Sequence, residues 1–345
     1  MRNSILATCL ILSSTPAGHA QNASNPADKP AQPTTAPQVA AERAEVDAGL
    51  KVTLIDAGAE PRQELRLAIQ PGATQHMDMV TKVRMSMLMD GRPIHAPEMP
   101  GIRTRLKLIA AEVSENGDFV VNLEVTEMDS PEAGPMQHML KPTMDSMIGM
   151  TGRLVVSRTG LAQDITLNAP RNMDPTMRPH FDSMAQSMSQ LYVPMPSEAV
   201  GVGGKWKVES VLKQSGYSLQ QTVTYTLREL SGSILRADVA MTQSAQEQIM
   251  TGPGIPAGAM KLKLLSSRGA GAMHLNLSHV VPISAGIETN TEMDLSMEMN
   301  GMVRPISQVL DSSTTIAEVN PQPSKPTADR AGKNEGGAQT RPGAE

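Results

Sequence analysis

Between residues 77 and 89 apolar side chains return at every second position with a single interruption. Met77, Met79, Val83, Met85, Met87 and Met89 share one parity, and only Thr81 breaks it. The other parity carries Asp78, Lys82, Arg84 and Ser86, with Val80 and Leu88 as exceptions. A period of two held over this length excludes a helix, whose apolar positions recur every three or four residues, and requires an extended strand. The strand would span roughly 40 Å, more than an ordinary sandwich uses. Strands of that length twist and curl. The expected fold is therefore mainly β (α+β), built on a long curved antiparallel sheet, half-barrel or barrel-like.

The same alternation recurs late in the chain. Met293, Leu295, Met297 and Met299 oppose Glu292, Asp294, Ser296 and Glu298. Met85-Ser86-Met87-Leu88-Met89-Asp90-Gly91 also echoes Leu295-Ser296-Met297-Glu298-Met299-Asn300-Gly301. Two pseudo-symmetric halves, 48–170 and 200–319, are one way to read that echo. Hairpins are predicted around Asn116-Gly117, Thr159-Gly160 and Ser231-Gly232, where glycine supplies the positive φ of a tight turn. Two stretches switch to helical spacing. Met136, Met139, Leu140, Met147 and Ile148 predict one amphipathic helix over 136–150, and Met177, Phe181, Met184, Met188, Leu191 and Tyr192 predict a second over 175–192.

The ends of the chain read differently. Arg2, the apolar run Ile5–Leu12 and the small residues ending at Ala20 have the parts of a secretory signal peptide, assigned to 1–20. Cys9, the one cysteine, lies inside it, so the mature chain is expected to fold without thiols or disulfides, in the periplasm or secreted. Residues 21–47 form a Pro/Ala-rich linker too poor in apolar side chains to order themselves, and 320–345 form a similar tail. The β-rich domain is placed at 48–319. No apolar run there is long enough for a transmembrane helix.

Composition narrows the function. The net charge of −5 is scattered, with no basic face for nucleic acid. No nucleophile elbow, Ser-x-x-Lys or His-Glu-x-x-His motif is present, and His274 and His279 sit on opposite parities, so an enzyme is not expected and no cofactor is assigned. Gly201-Val202-Gly203-Gly204 has neither the following helix nor the lysine-hydroxyl pair of a phosphate loop. It predicts instead a tight turn that anchors a buried Trp206.

Methionine stands out, with 26 residues against one Trp, three Tyr and two Phe. Three readings of its stripes remain open. Thioethers are flexible gap-fillers, so the first is ordinary core packing in a structural or protein-interaction module. The second is an interior that binds a lipid-like ligand, lined by Met77, Met79, Val83, Met85, Met87, Met89, Met293, Leu295, Met297 and Met299. The third is copper(I) coordination by His76, Met77, Met79 and Met85, since soft sulfur suits that ion.

Several short stretches carry a resemblance. Leu54–Arg62, Leu65-Arg66, Pro71-Gly72, Met195–Glu198, Val200–Gly203, Lys205-Trp206 and Gly269-Ala270-Gly271 resemble an uncharacterised (domain of unknown function) family of exported bacterial β-rich proteins. The resemblance spans most of 50–318 and implies no activity. A looser, fold-level likeness is to periplasmic lipoprotein carriers, which close a curved sheet over an apolar cavity. From these readings the expectation is a non-enzymatic envelope protein whose partner is a lipid-like small molecule.

Overall fold

The computed structural model describes residues 42–45, 50–95, 99–132, 135–170, 188, 191–214, 216–250, 258–299 and 301–320. In chain order the elements are β1 (Glu42–Glu45), β2 (Lys51–Asp56), β3 (Thr74–Met89), β4 (Arg92–Ile94), β5 (Ile102–Val113), β6 (Phe119–Asp129) and α1 (Pro135–Met147). There follow β7 (Thr151–Val156), β8 (Ala162–Asn168), β9 (Lys205–Gln214), β10 (Tyr217–Ser231) and β11 (Ile234–Ala245). The last four are β12 (Gln248–Ile249), β13 (Met260–Asn276), β14 (Ser284–Met299) and β15 (Met302–Glu318). All fifteen strands join one antiparallel sheet in the order β1-β8-β7-β6-β5-β3-β15-β14-β13-β11-β10-β9-β2, with β4 on β3 and β12 on β13.

That order corrects one expectation: the sheet is open, not a barrel. Its ends are β1 and β2, which pair with β8 and β9 and not with each other. Short strands at the margins give the ladder little length on which to continue.

The turns follow from local chemistry. Asp90 and Gly91 both hold positive φ, 52° and 73°, which is the type I′ geometry that matches strand twist between β3 and β4. Glycines 117, 160 and 232 hold positive φ in the β5–β6, β7–β8 and β10–β11 connections. α1 begins at Pro135, where the missing N–H costs nothing. Gly149, at φ 84°, ends the helical run. Its buried stripe runs through Met144 and Met147, whereas Met139 and Ile148, expected on that stripe, are exposed. One helix rather than two is present among the described residues. The second, over 175–192, lies outside them except for Met188, which is helical, and the buried Leu191 and Tyr192.

The larger core packs one face of β3, β5–β11 and β13–β15 against irregular segments around Leu65–Ile69, Leu191–Met195 and Val280-Val281. Main-chain bonds fasten those segments: Leu67 N–H donates to Arg158 O at 2.8 Å and Ala68 N–H to Leu277 O at 2.7 Å. Arg66 donates to Pro196 O and Ser197 O, at 2.9 and 2.6 Å. Trp206 is fully buried, stacks on Tyr225 at 5.1 Å and donates its indole N–H to Pro194 O at 2.9 Å. The glycine run before it is a backbone junction: Gly201 N–H donates to Ala57 O, and Ala59 N–H to Val202 O.

Tyr192 is an exception to this economy, because its buried hydroxyl has no hydrogen-bond partner among the described residues. Burial alone pushes its pKa far up. The fold thus favours the neutral phenol, so this contribution is full below about pH 10 and is lost as pH rises above it. Tyr192→Phe removes the unmet hydroxyl and is expected to stabilise by about 1 kcal/mol. Urea unfolding at pH 8 and pH 11 tests this: the gain should be larger at pH 11, and a loss at pH 8 would show that the hydroxyl is bonded.

Candidate ligand-binding face

Alternation places the candidate residues on one face of the sheet, but pairing decides how deeply each is buried. β5 runs alongside β3 only from Thr74↔Ile109 to Thr81↔Ile102. Met77 and Met79 lie within that stretch and are buried in the larger core. Beyond it β3 keeps β15 on one side and gains only the short β4 on the other, at Met87–Met89. Val83, Met85, Met87 and Met89 are accordingly half-buried, while their neighbours Lys82, Arg84, Ser86 and Leu88 are exposed.

A second, smaller apolar cluster occupies this end of the sheet. Leu212, Leu219, Ala245, Met250, Leu262, Leu265, Leu295 and Ile306 form its buried part, and Met87, Met89, Met260, Met293, Met297 and Tyr217 pack half-buried against it. Register explains the gathering. Met297 stands directly opposite Met260, while Met87 and Met293 flank Gln308 in one row, and Met89 and Leu295 flank Ile306 in the next. The structure therefore brings together Met87, Met89, Met293, Leu295 and Met297, and sets Met77 and Met79 apart in the larger core. Met85 lies between the two groups, its sulfur accepting an N–H from Gln308 at 2.6 Å. Met299 pairs with Met302 in the β14–β15 ladder, and its side chain lies outside the described residues.

The two clusters are divided by a feature that the sequence reading missed. On the apolar face, Gln221, Gln243, Ser267 and Thr291 stand side by side on β10, β11, β13 and β14. The line then steps two residues to Thr289 and Ser312, and two more to Thr314 and Thr81. All but Thr81 and Ser312 are buried. Neighbours bond to each other: Gln243 Nε2 donates to Gln221 Oε1 at 2.6 Å, Ser267 pairs with Thr291 at 2.7 Å, Thr289 with Ser312 at 2.6 Å, and Thr81 with Thr314 at 3.2 Å. The result is a belt of uncharged polar side chains crossing six strands. A signal for it existed, since Gln221 falls on the apolar parity between Leu219 and Val223, and Thr81 is the one break in the methionine stripe.

At the rim of the smaller cluster, Met302 and Ile94 are 57 and 38 % exposed on the cluster's own face, opposite Met299 and Met87. Leu264, Val303 and Ile249 are exposed too, but they pair with Asp294, Glu298 and Lys261 and so stand on the other face. Arg304 and Asp90 pair at this rim, at 3.3 Å. Where β5 parts from β3, Met79, Thr81, Val83, Met99, Pro100, Ile102 and Thr104 line a pocket of about 30 Å³. That is room for about one water molecule.

The copper set is not gathered in one place. His76 lies on the opposite face from Met77 and Met79, and those two are enclosed by the larger core, whereas Met85 lies six residues beyond Met79 on a half-buried stretch. Among the described residues no three His, Cys, Asp or Glu side chains are grouped to hold a metal ion. No helix among them is long and apolar enough to cross a membrane. No family model matches this chain, and a search of curated proteins finds no relative.

Proposed function

We propose that the protein is a non-enzymatic, exported envelope protein that binds a lipid-like ligand at the methionine-rich end of its sheet. The observation that carries this reading is the half-buried state of Met87, Met89, Met260, Met293 and Met297 around a small buried apolar cluster. Thioether side chains are unbranched and polarisable, so they can fold over one another without a guest and rearrange along an acyl chain with one. Exposed Met302 and Ile94, on the same face at that end, add apolar surface beside the cluster. In this reading the sheet curves into a half-barrel around the cluster, as the length of β3, β13, β14 and β15 favours, and the signal-like first twenty residues direct the chain to the periplasm or beyond. The resemblance to exported β-rich proteins is in keeping with export alone, and the looser, fold-level likeness to lipoprotein carriers is in keeping with an apolar ligand.

Native mass spectrometry of protein purified without detergent is expected to show a co-purifying lipid of one acyl class, removable by organic extraction. Protein that carries no lipid and takes up none from mixed vesicles would leave the packed-core, protein-interaction reading in its place. Copper(I) titration separates the remaining alternative: uptake lost on replacing Met77, Met79 and Met85 with Leu would support it.

A further inference from the structure

This inference rests on the reading just given and specifies the ligand. The belt is chemically selective in a way that the apolar clusters are not. Its groups are amides and hydroxyls only, so a charged carboxylate or phosphate placed there would lose its water without gaining a counter-ion. An uncharged head with oxygens to share meets donors and acceptors instead. Capacity for it exists. The bond between Gln243 and Gln221 uses one of the four N–H groups that the two amides carry, and a Ser–Thr pair uses one of two hydroxyl protons. These side chains are also more than nine-tenths buried, Gln221 and Gln243 at 7 % exposure and Ser267 at 2 %. Inside an otherwise apolar face, polar pairs add little net stability over apolar residues of equal size. Their value would lie in what they recognise.

Geometry adds a length. From Thr291 in the belt to Met297 at the rim is six residues along β14, roughly 20 Å, the reach of a long, extended acyl chain. Met293 and Leu295 line that distance on the same face.

We propose that the belt is a head-group subsite, and that the ligand is a single-chain amphiphile with an uncharged ester, amide or hydroxyl head. The head bonds at Gln221 and Gln243, and the chain runs from the belt to the methionine rim.

The test compares three test ligands of equal chain length: monoolein, with an uncharged glycerol ester; oleate, with a carboxylate; and 1-octadecene, with no head. Each displaces the apolar dye N-phenyl-1-naphthylamine from the purified protein. Monoolein is expected to displace the dye at about tenfold lower concentration than either of the others. In the Gln221→Leu/Gln243→Leu variant that advantage disappears while the dye still binds. If the unaltered protein binds no dye, the ligand-binding reading itself fails. If it binds dye but treats the three ligands alike, or if the variant keeps the preference, the head-group subsite is overturned and the binding reading stands. Should the double leucine variant not fold, the single variants Gln221→Leu and Gln243→Leu are measured in its place, each expected to reduce the advantage several-fold; unchanged preference in both overturns the subsite.

Discussion

Gly201→Ala is expected to lower the melting temperature by roughly 5–10 °C, the equivalent of about 3 kcal/mol in a domain of this size. A Cβ at Gly201 would lie 1.7 Å from Ala59 O, and neither partner is a flexible side chain that could swing away. The backbones must separate, and the bonds from Gly201 N–H to Ala57 O and from Ala59 N–H to Val202 O go with them. This junction holds the end of β2 against the start of β9, directly before the buried Trp206, so the damage reaches the larger core. Gly203→Ala is the control. Gly203 has φ +84° but open space around it, so alanine there pays only for an unfavourable conformation, about 1 kcal/mol. Differential scanning calorimetry on both variants decides the matter, and equal losses would mean that the close contact is not what the run of glycines serves.

The second large effect separates stability from binding. Met77→Gln is expected to cost about 3–5 kcal/mol, because Met77 is fully enclosed and a buried amide there has no partner. Met87→Gln/Met293→Gln should cost about 1 kcal/mol per site or less, since both side chains are half-buried and an amide there can reach water. Affinity for an apolar ligand should nevertheless fall about tenfold or more in the double variant, as each change replaces part of the oily lining. Denaturant titration and dye binding measured on the same preparations give the comparison. A double variant that binds as well as the unaltered protein would place the ligand elsewhere.

These contrasts also show what the sequence could and could not reveal. Alternation identified the faces of β3 and β14 because side-chain direction is a property of the strand itself. Glycine at positions 117, 160 and 232 marked the turns for the same local reason. Depth is different. Met77 and Met87 have the same parity and the same chemistry, yet one is enclosed and the other half-exposed, because β5 accompanies β3 only as far as Thr81. That is a fact of pairing between distant segments. α1 makes a similar point: its spacing was legible, but which stripe faces β6 was not, and Met139 points to water. The belt was hidden for a related reason. Gln221, Ser267, Thr291 and Thr314 come from strands scattered through the second half of the chain, and each looks like a lone exception until register lines them up. The openness of the sheet likewise depends on where β1 and β2 dock.

The position of β15 has a consequence for how the molecule can be made. It is the last strand among the described residues, yet it lies at the centre of the sheet, bonded to β3 from Ile306↔Met89 to Glu318↔Met77 and to β14 along its other edge. A polypeptide emerging from its amino end must therefore hold β3 and β14 apart, each with an unsatisfied margin, until residues 302–318 arrive to zip them together. Completion is a single late event that spans more than two hundred residues of sequence. A chain truncated before Met302 should yield two sticky fragments of sheet rather than a smaller working protein, and a helper that shields bare strand margins would matter most in that interval.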